Sequence, residues 1–151
     1  MRIDGNIFKE GKNVKNNKGR EGIGFKEEDK FKMKKIEQII RLDQGIEVET
    51  YINAFGNMFI EPIDESLIAP RLYLRKFQDT IILAEIELQI SNKGTATKII
   101  KELIEIVKNN NDLKTIEIEN IFNPALKHIA VDKFKFEEDK FRKTTYVLNL
   151  D

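Results

Sequence analysis

The chain has 151 residues, 34% of them charged and 40% hydrophobic, enough for one soluble domain with a real core and too few for two ordinary ones. The 26 Lys plus Arg balance the 26 Asp plus Glu, so no field of one sign draws the whole molecule towards nucleic acid, an anionic membrane or an acidic substrate. The lack of cysteine excludes disulfides, thiolate metal sites and a Cys nucleophile, and the lone His128 argues against a histidine-rich metal centre.

Apolar runs are broken by Glu or Lys well short of the roughly 18 residues that a membrane span needs. Met1 to Gly5 does not open a signal peptide, so a cytoplasmic location is the default expectation. The wealth of Lys, Asn, Ile and Glu matches the codon bias of AT-rich bacterial or phage genomes.

Residues 1–30 read as a partly flexible arm and residues 31–151 as the folded domain. From Gly5 to Lys30 the chain is rich in Lys, Asn, Gly and Glu, with Ile7, Phe8, Ile23 and Phe25 as its apolar anchors. Lys9 to Arg20 could hold phosphate or nucleic acid or be a solvated arm, and Glu10 and Glu21 weaken the first reading. Between Glu27 and Leu42 the residues Phe31, Met33, Ile36, Ile39 and Ile40 approximate helical spacing. Acidic residues suit its start, and Gly45 offers a stop.

Ile46, Val48, Thr50 and Ile52 then alternate with polar residues, and Phe55 to Met58 suits a turn between two strands. Pro62 and Pro70 bracket a loop. Arg71 to Phe77 and Thr80 to Ile90 read as a second hairpin closed by Gln78 and Asp79. In its longer strand, period two would place Ile82, Ala84, Ile86, Leu88 and Ile90 on one face and Glu85, Glu87 and Gln89 on the other.

Ser91, Asn92, Lys93, Gly94, Thr95 and Ala96 interrupt that strand, and Ile99, Ile100, Leu103, Ile104 and Val107 form a helical stripe. Lys114 to Glu119 reads as a strand, Asn123 to Asp132 as a short helix, and Thr144 to Leu150 as a last strand. Strand, crossover helix and strand make Thr80 to Glu119 a βαβ unit with a parallel pair, inside a sheet made mixed by the hairpins.

The loop before the long helix has two readings. Gly94 and Ala96 leave room for a close approach, the helix start presents free N–H groups, Lys93 could add a charge, and Thr95 and Thr97 could donate hydroxyl hydrogen bonds, which together suit phosphate. The same residues also suit a helix-capping turn.

Long strand, SNKGTA, amphipathic helix, strand and NPALKHIAVDKFKF follow one another over residues 80–137 in an order that resembles the central motifs of the GNAT (GCN5-related N-acetyltransferase) superfamily. The resemblance implies an α/β (α+β) fold: a mixed, mostly antiparallel sheet with a central parallel βαβ unit and flanking helices. It implies acetyl-CoA as cosubstrate, without a metal, held by Leu88, Ile90, Ser91, Asn92, Lys93, Gly94, Thr95, Ala96, Thr97 and Asn123. An amine would accept the acetyl group. Association of sheets in pairs is implied by the same resemblance.

Gly94 and Ala96 fit the last small positions of the family's R/Q-x-x-G-x-G/A loop, and Asn123, Lys133 and Phe136 fall in places comparable to its later segment. Ser91 stands where Arg or Gln is usual, and Lys135 where Gly is common. The family's Tyr, which would protonate the departing thiolate, is replaced by Ala130 or Val131. Either another group or water serves as acid, or catalysis is absent.

Glu85 and Glu87 are the base candidates, because acyl transfer needs a neutral amine and a partly shielded carboxylate can take its proton. Exposed strand faces also carry Glu for solubility alone. The Ile90 N–H is a conceivable oxyanion donor. Glu119 and Asn123 sit where α/β ligand crevices open, although Asn123-Pro124 equally starts a helix. His128 reads as a surface or packed residue, and Phe134, Phe136 and Phe141 as packing for the final sheet. The rival to a transferase is a non-catalytic module of this fold that binds a protein, of phage or mobile-element origin.

Overall fold

The computed structural model describes residues 23–90 and 93–151. Most of the expected arm, including Lys9 to Arg20, lies outside the described residues, as do Ser91 and Asn92. Residues 23–30 are fastened to the domain: Ile23 bridges Phe77, the Gly24 N–H donates to Lys76 O at 2.8 Å, and the Phe25 N–H donates to Gly56 O at 2.7 Å.

A 3-10 turn, Glu27–Met33, leads into α1, Lys34–Gln44. The Asp29 carboxylate accepts the Lys26 N–H at 2.7 Å, satisfying a free donor where the turn begins. Ile36, Ile40 and Gln44, four residues apart, form the buried stripe of α1. Gly45 ends it at φ 70, donating to Arg41 O at 3.0 Å, a left-handed stop that glycine adopts without a Cβ penalty.

The strands are β1 Val48–Ile52, β2 Met58–Pro62, β3 Arg71–Phe77 and β4 Thr80–Glu87. Then come α2 Thr95–Lys108, β5 Thr115–Ile118 and α3 Pro124–His128, which runs into a π turn, Ile129–Lys133. Short β6 Glu137–Glu138, which has no counterpart in the sequence reading, and β7 Tyr146–Asn149 close the chain.

The described residues form a seven-stranded sheet in the order β1-β2-β3-β4-β5-β7-β6. Only β4 and β5 run parallel among them, with α2 as the connection. The fold is the mixed, mostly antiparallel α/β one implied by the GNAT resemblance.

One face of the sheet carries Leu72, Leu74, Ile81, Leu83, Ile116 and Ile118, which join Ile36 and Ile40 of α1 and Ile99 and Leu103 of α2 in a single core. Each such side chain contributes about 1.5–3 kcal/mol by leaving water. The opposite face of β1 to β3 carries a ladder of rings, Tyr51, Phe59 and Tyr73, stacked at 5.2 and 4.8 Å between centroids.

The expected alternation along β4 fails at one point. Tyr73 pairs with Glu85 but Leu74 pairs with Leu83, so Ala84 is an extra residue, a β-bulge. The bulge reverses the pattern: Ile81 and Leu83 face the core before it and Ile86 after it, while Ile82 shares the other face with Glu85 and Glu87. The strand also ends at Glu87, so Leu88 to Ile90 lie beyond it. Phe141, expected to pack, is 93% exposed in the turn after β6, whereas Phe136 is buried.

Candidate functional site

Two strands that run together and then part create a cleft. The parallel ladder joins Thr80–Leu83 to Thr115–Ile118, and its last bond runs from the Glu119 N–H to Leu83 O at 3.0 Å. Past that point β4 continues through the bulge while the chain after β5 turns away at Asn120, whose φ is 56, a left-handed conformation that Asn tolerates better than most residues.

The gap holds about 340 Å³. Leu83, Ala84, Glu85 and Ile86 form one wall, and Ile118, Glu119, Asn120, Phe122, Asn123 and Leu126 form the other. This volume lies at the low end of what small-molecule sites enclose.

Glu85 is the carboxylate of β4 on this cleft. It lies on the ring-bearing face, where Arg71 Nη1 approaches its Oε1 at 3.3 Å. Arg71 Nε lies 3.0 Å from Oε2 of buried Glu61, off the line of a good hydrogen bond, so that contact is an ion pair. The Arg71 guanidinium also lies 5.4 Å from the Phe59 ring centroid, within cation–π range.

Burial pushes the Glu85 carboxyl above its ordinary value, and a hydrogen bond shared with Glu87 adds to the effect against the pull of Arg71. Glu87 sits opposite Arg71 in register and is exposed. The two candidate bases share a face, but Glu85 is the one that lines the cleft. Glu119 is held by an ion pair with Arg75.

A short stretch beyond the end of β4, α2 starts with amides that have no carbonyl one turn back to bond. Gly94 caps the helix at φ 71, and a Cβ built there would meet nothing within 4 Å. Lys93 and Gly94 are exposed, while Ala96 and Thr97 are partly buried. Backbone close approach at Lys93, Gly94, Ala96 and Thr97 therefore stays open.

Two expected donors are already engaged. The Thr95 hydroxyl, 2% exposed, donates to Asp43 Oδ2 at 3.0 Å and accepts from Gln44 Nε2 at 3.1 Å. The Ile90 N–H donates to Gln44 Oε1 at 2.7 Å. Neither group is available to a phosphate or an oxyanion in this arrangement. Lys98 bonds Asp43 at 2.9 Å and holds that carboxyl below the usual range, with Thr95 helping against burial.

Leu88 packs against the core, and Ile90 is 41% exposed. Asn123 takes the capping role: its Oδ1 accepts the N–H groups of Ala125 at 2.7 Å and Leu126 at 3.4 Å. It nevertheless faces the cleft. Ala130, one of the two places for the missing Tyr, is fully buried, and Val131 is partly buried. Lys135, where Gly is common, has φ 66, so this position needs the conformation that Gly adopts freely. His128 pairs with Asp132 at 2.7 Å on an exposed helix face.

Sequence reasoning missed Gln44, Arg71, Asn120 and Phe122. A glutamine at the end of a helix and an arginine in a strand carry no local sign of partners on distant elements. Asn followed by irregular chain after a β-prone run was the one available signal for Asn120.

Fold and cleft together define a mixed α/β domain with a cleft where its one parallel pair of described strands parts. No protein-family model and no curated protein matches the chain in sequence. Among solved structures, it is similar to an acetyltransferase of the GNAT family from Staphylococcus aureus, at 16% identity and TM-score 0.44 over 96% of this chain and 94% of that one. It is also similar to a structure assigned as an acetyltransferase from Sphaerobacter thermophilus, at 7% identity and TM-score 0.40 over 62% of this chain and 64% of that one. No helix among the described residues is long and apolar enough to cross a membrane.

Proposed function

We propose that the chain binds an acyl-CoA, acetyl-CoA above all, in the cleft between β4 and β5 and transfers the acyl group directly to an amine. The observation that carries this reading is the parting of the two parallel strands beside Glu85, with α2 starting a short stretch beyond the end of β4. An extended amide-bearing arm can lie along the edge of β4 that β5 no longer covers, and the free amides of α2 suit a diphosphate. Lys93 adds a positive charge there.

In the reaction, the amine loses a proton to Glu85, directly or through water, and attacks the thioester carbonyl. The new N–C bond forms as the C–S bond breaks, and the thiolate leaves. A carboxyl raised by burial is a stronger base than an ordinary one. With Ala130 and Val131 in place of the family's Tyr, water protonates the thiolate. Glu87 lies on the exposed side of Glu85 and hydrogen-bonds it.

The lack of a hydroxyl at those two positions also supports a second reading, a non-catalytic acyl-CoA-binding or protein-binding module of this fold. Calorimetric titration with CoA and acetyl-CoA separates the cases, with Gly94→Glu as control. That substitution sets a carboxylate in open space at the helix start, at a strain of about 1–2 kcal/mol for a left-handed side chain, and leaves the core untouched. Saturable binding by wild type and none by the folded control supports the cofactor site. Acetyl transfer to an amine panel then selects the enzyme, and binding without turnover selects the module. No binding to folded wild type overturns both acyl-CoA readings.

A further inference from the structure

The side chain of Gln44 is 3% exposed, sits at the last position of α1 and uses both ends of its carboxamide. Its Oε1 accepts the N–H groups of Gln89 at 2.9 Å and Ile90 at 2.7 Å. Its Nε2 donates to Ile90 O at 3.0 Å and to the Thr95 hydroxyl at 3.1 Å. One buried group therefore ties together three pieces of chain: the end of α1, the stretch beyond β4 and the first residue of α2.

We infer that Gln44 is a positioning residue, which sets the distance and angle between the end of β4 and the start of α2 and so holds the acyl-CoA site of the proposed reaction in shape. This rests on that reading for its functional half alone, because the clamp itself exists in the unliganded protein. Two adjacent N–H groups converging on one oxygen form the kind of concavity that otherwise attracts an anion. Here a neutral amide fills it, which directs an incoming anion to the amides of α2.

No other side-chain type of this length both accepts and donates at once without charge. Alanine removes all four bonds. Glutamate keeps the acceptor half, loses the donor half, and adds a charge to a pocket that already faces Asp43, with Lys98 on Asp43 and Lys93 nearby. A buried carboxyl so placed titrates upwards, so lowering the pH protonates it and restores a donor.

The test compares wild type, Gln44→Ala and Gln44→Glu by amide hydrogen exchange without ligand and by CoA titration, below the melting range of all three. In Gln44→Ala the amides of Gln89 and Ile90 should exchange at least about tenfold faster and CoA should bind roughly tenfold more weakly, as loss of buried hydrogen bonds implies. Gln44→Glu should keep those two amides protected, and its CoA affinity should recover towards wild type as pH falls.

Unchanged exchange in folded Gln44→Ala overturns the clamp. Faster exchange with unchanged CoA affinity overturns the positioning role. If Gln44→Ala does not fold, Gln44→Glu decides alone, and an affinity insensitive to pH counts against the inference. If wild type does not bind CoA, the proposed function fails, and the exchange data still decide the clamp.

Discussion

Glu85 is where burial, charge and position meet in one side chain. Its carboxyl titrates above the usual value because burial disfavours the ionised form, with Glu87 adding and Arg71 opposing. In the window between the unfolded value near 4.5 and the raised native value, the folded protein holds a proton that the unfolded chain has released. Stability attributable to this group is therefore greatest below that window and falls as pH rises through it. Glu85→Gln should remove this dependence, so the urea midpoint of the variant relative to wild type should climb from about pH 4.5 upwards. A flat difference across that range means that the group is not perturbed. Arg71 also pairs with Glu61 at 3.0 Å, so the substitution removes one of its two carboxylate partners. In an active enzyme, the same substitution should cut turnover without the matching loss of CoA affinity that a disturbed cleft would bring.

Elements show what the sequence discloses and what it withholds. The hairpin of β1 and β2 was legible because period two and a Phe55-Gly56-Asn57 turn are local signals, and α2 was legible from its stripe. The bulge at Ala84 was not, since an extra residue is visible only against the partner strand, and it moved Ile82 to the face opposite Ile86, with which period two had grouped it. The clamp of Gln44 joins residues 45 to 51 positions apart, so no local pattern could announce it. The first hairpin also carries a close approach that glycine alone permits: a Cβ on Gly56 would lie 2.8 Å from Gly24 Cα, and Gly56 has φ 80. Gly94 shares the left-handed conformation but has open space around it. Gly56→Ala should thus destabilise the protein by about 3 kcal/mol, strain plus displaced backbone, and Gly94→Ala by only about 1 kcal/mol. Equal losses in chemical denaturation would mean that residues 23–25 yield to the clash instead of resisting it.

At the scale of the molecule, α1 and α2 cover one face of the sheet with a shared core, and the cleft opens where the parallel pair ends, at the far end of the face they stabilise. Stability and binding are then separable. Leu103 is fully buried on α2, about 12 Å along the axis from Thr95 at ~1.5 Å per residue. Leu103→Ala should cost roughly 2–5 kcal/mol through lost burial and a cavity. A ligand at a hundredfold excess over its Kd stabilises the folded state by about 2.7 kcal/mol, which for a chain of this size raises the melting midpoint by roughly 5–10 °C. Sites this far apart usually add within ~0.5 kcal/mol, so CoA should stabilise wild type and Leu103→Ala by the same free energy even though the variant melts much earlier. Scanning calorimetry at matched saturation measures both increments. Equal increments mean that the cleft is preformed by the sheet and the clamp, independently of how tightly the core is filled. A smaller increment in the variant means that α2 transmits core packing to the helix start, and the affinity of the proposed acyl-CoA site would then depend on the stability of the fold.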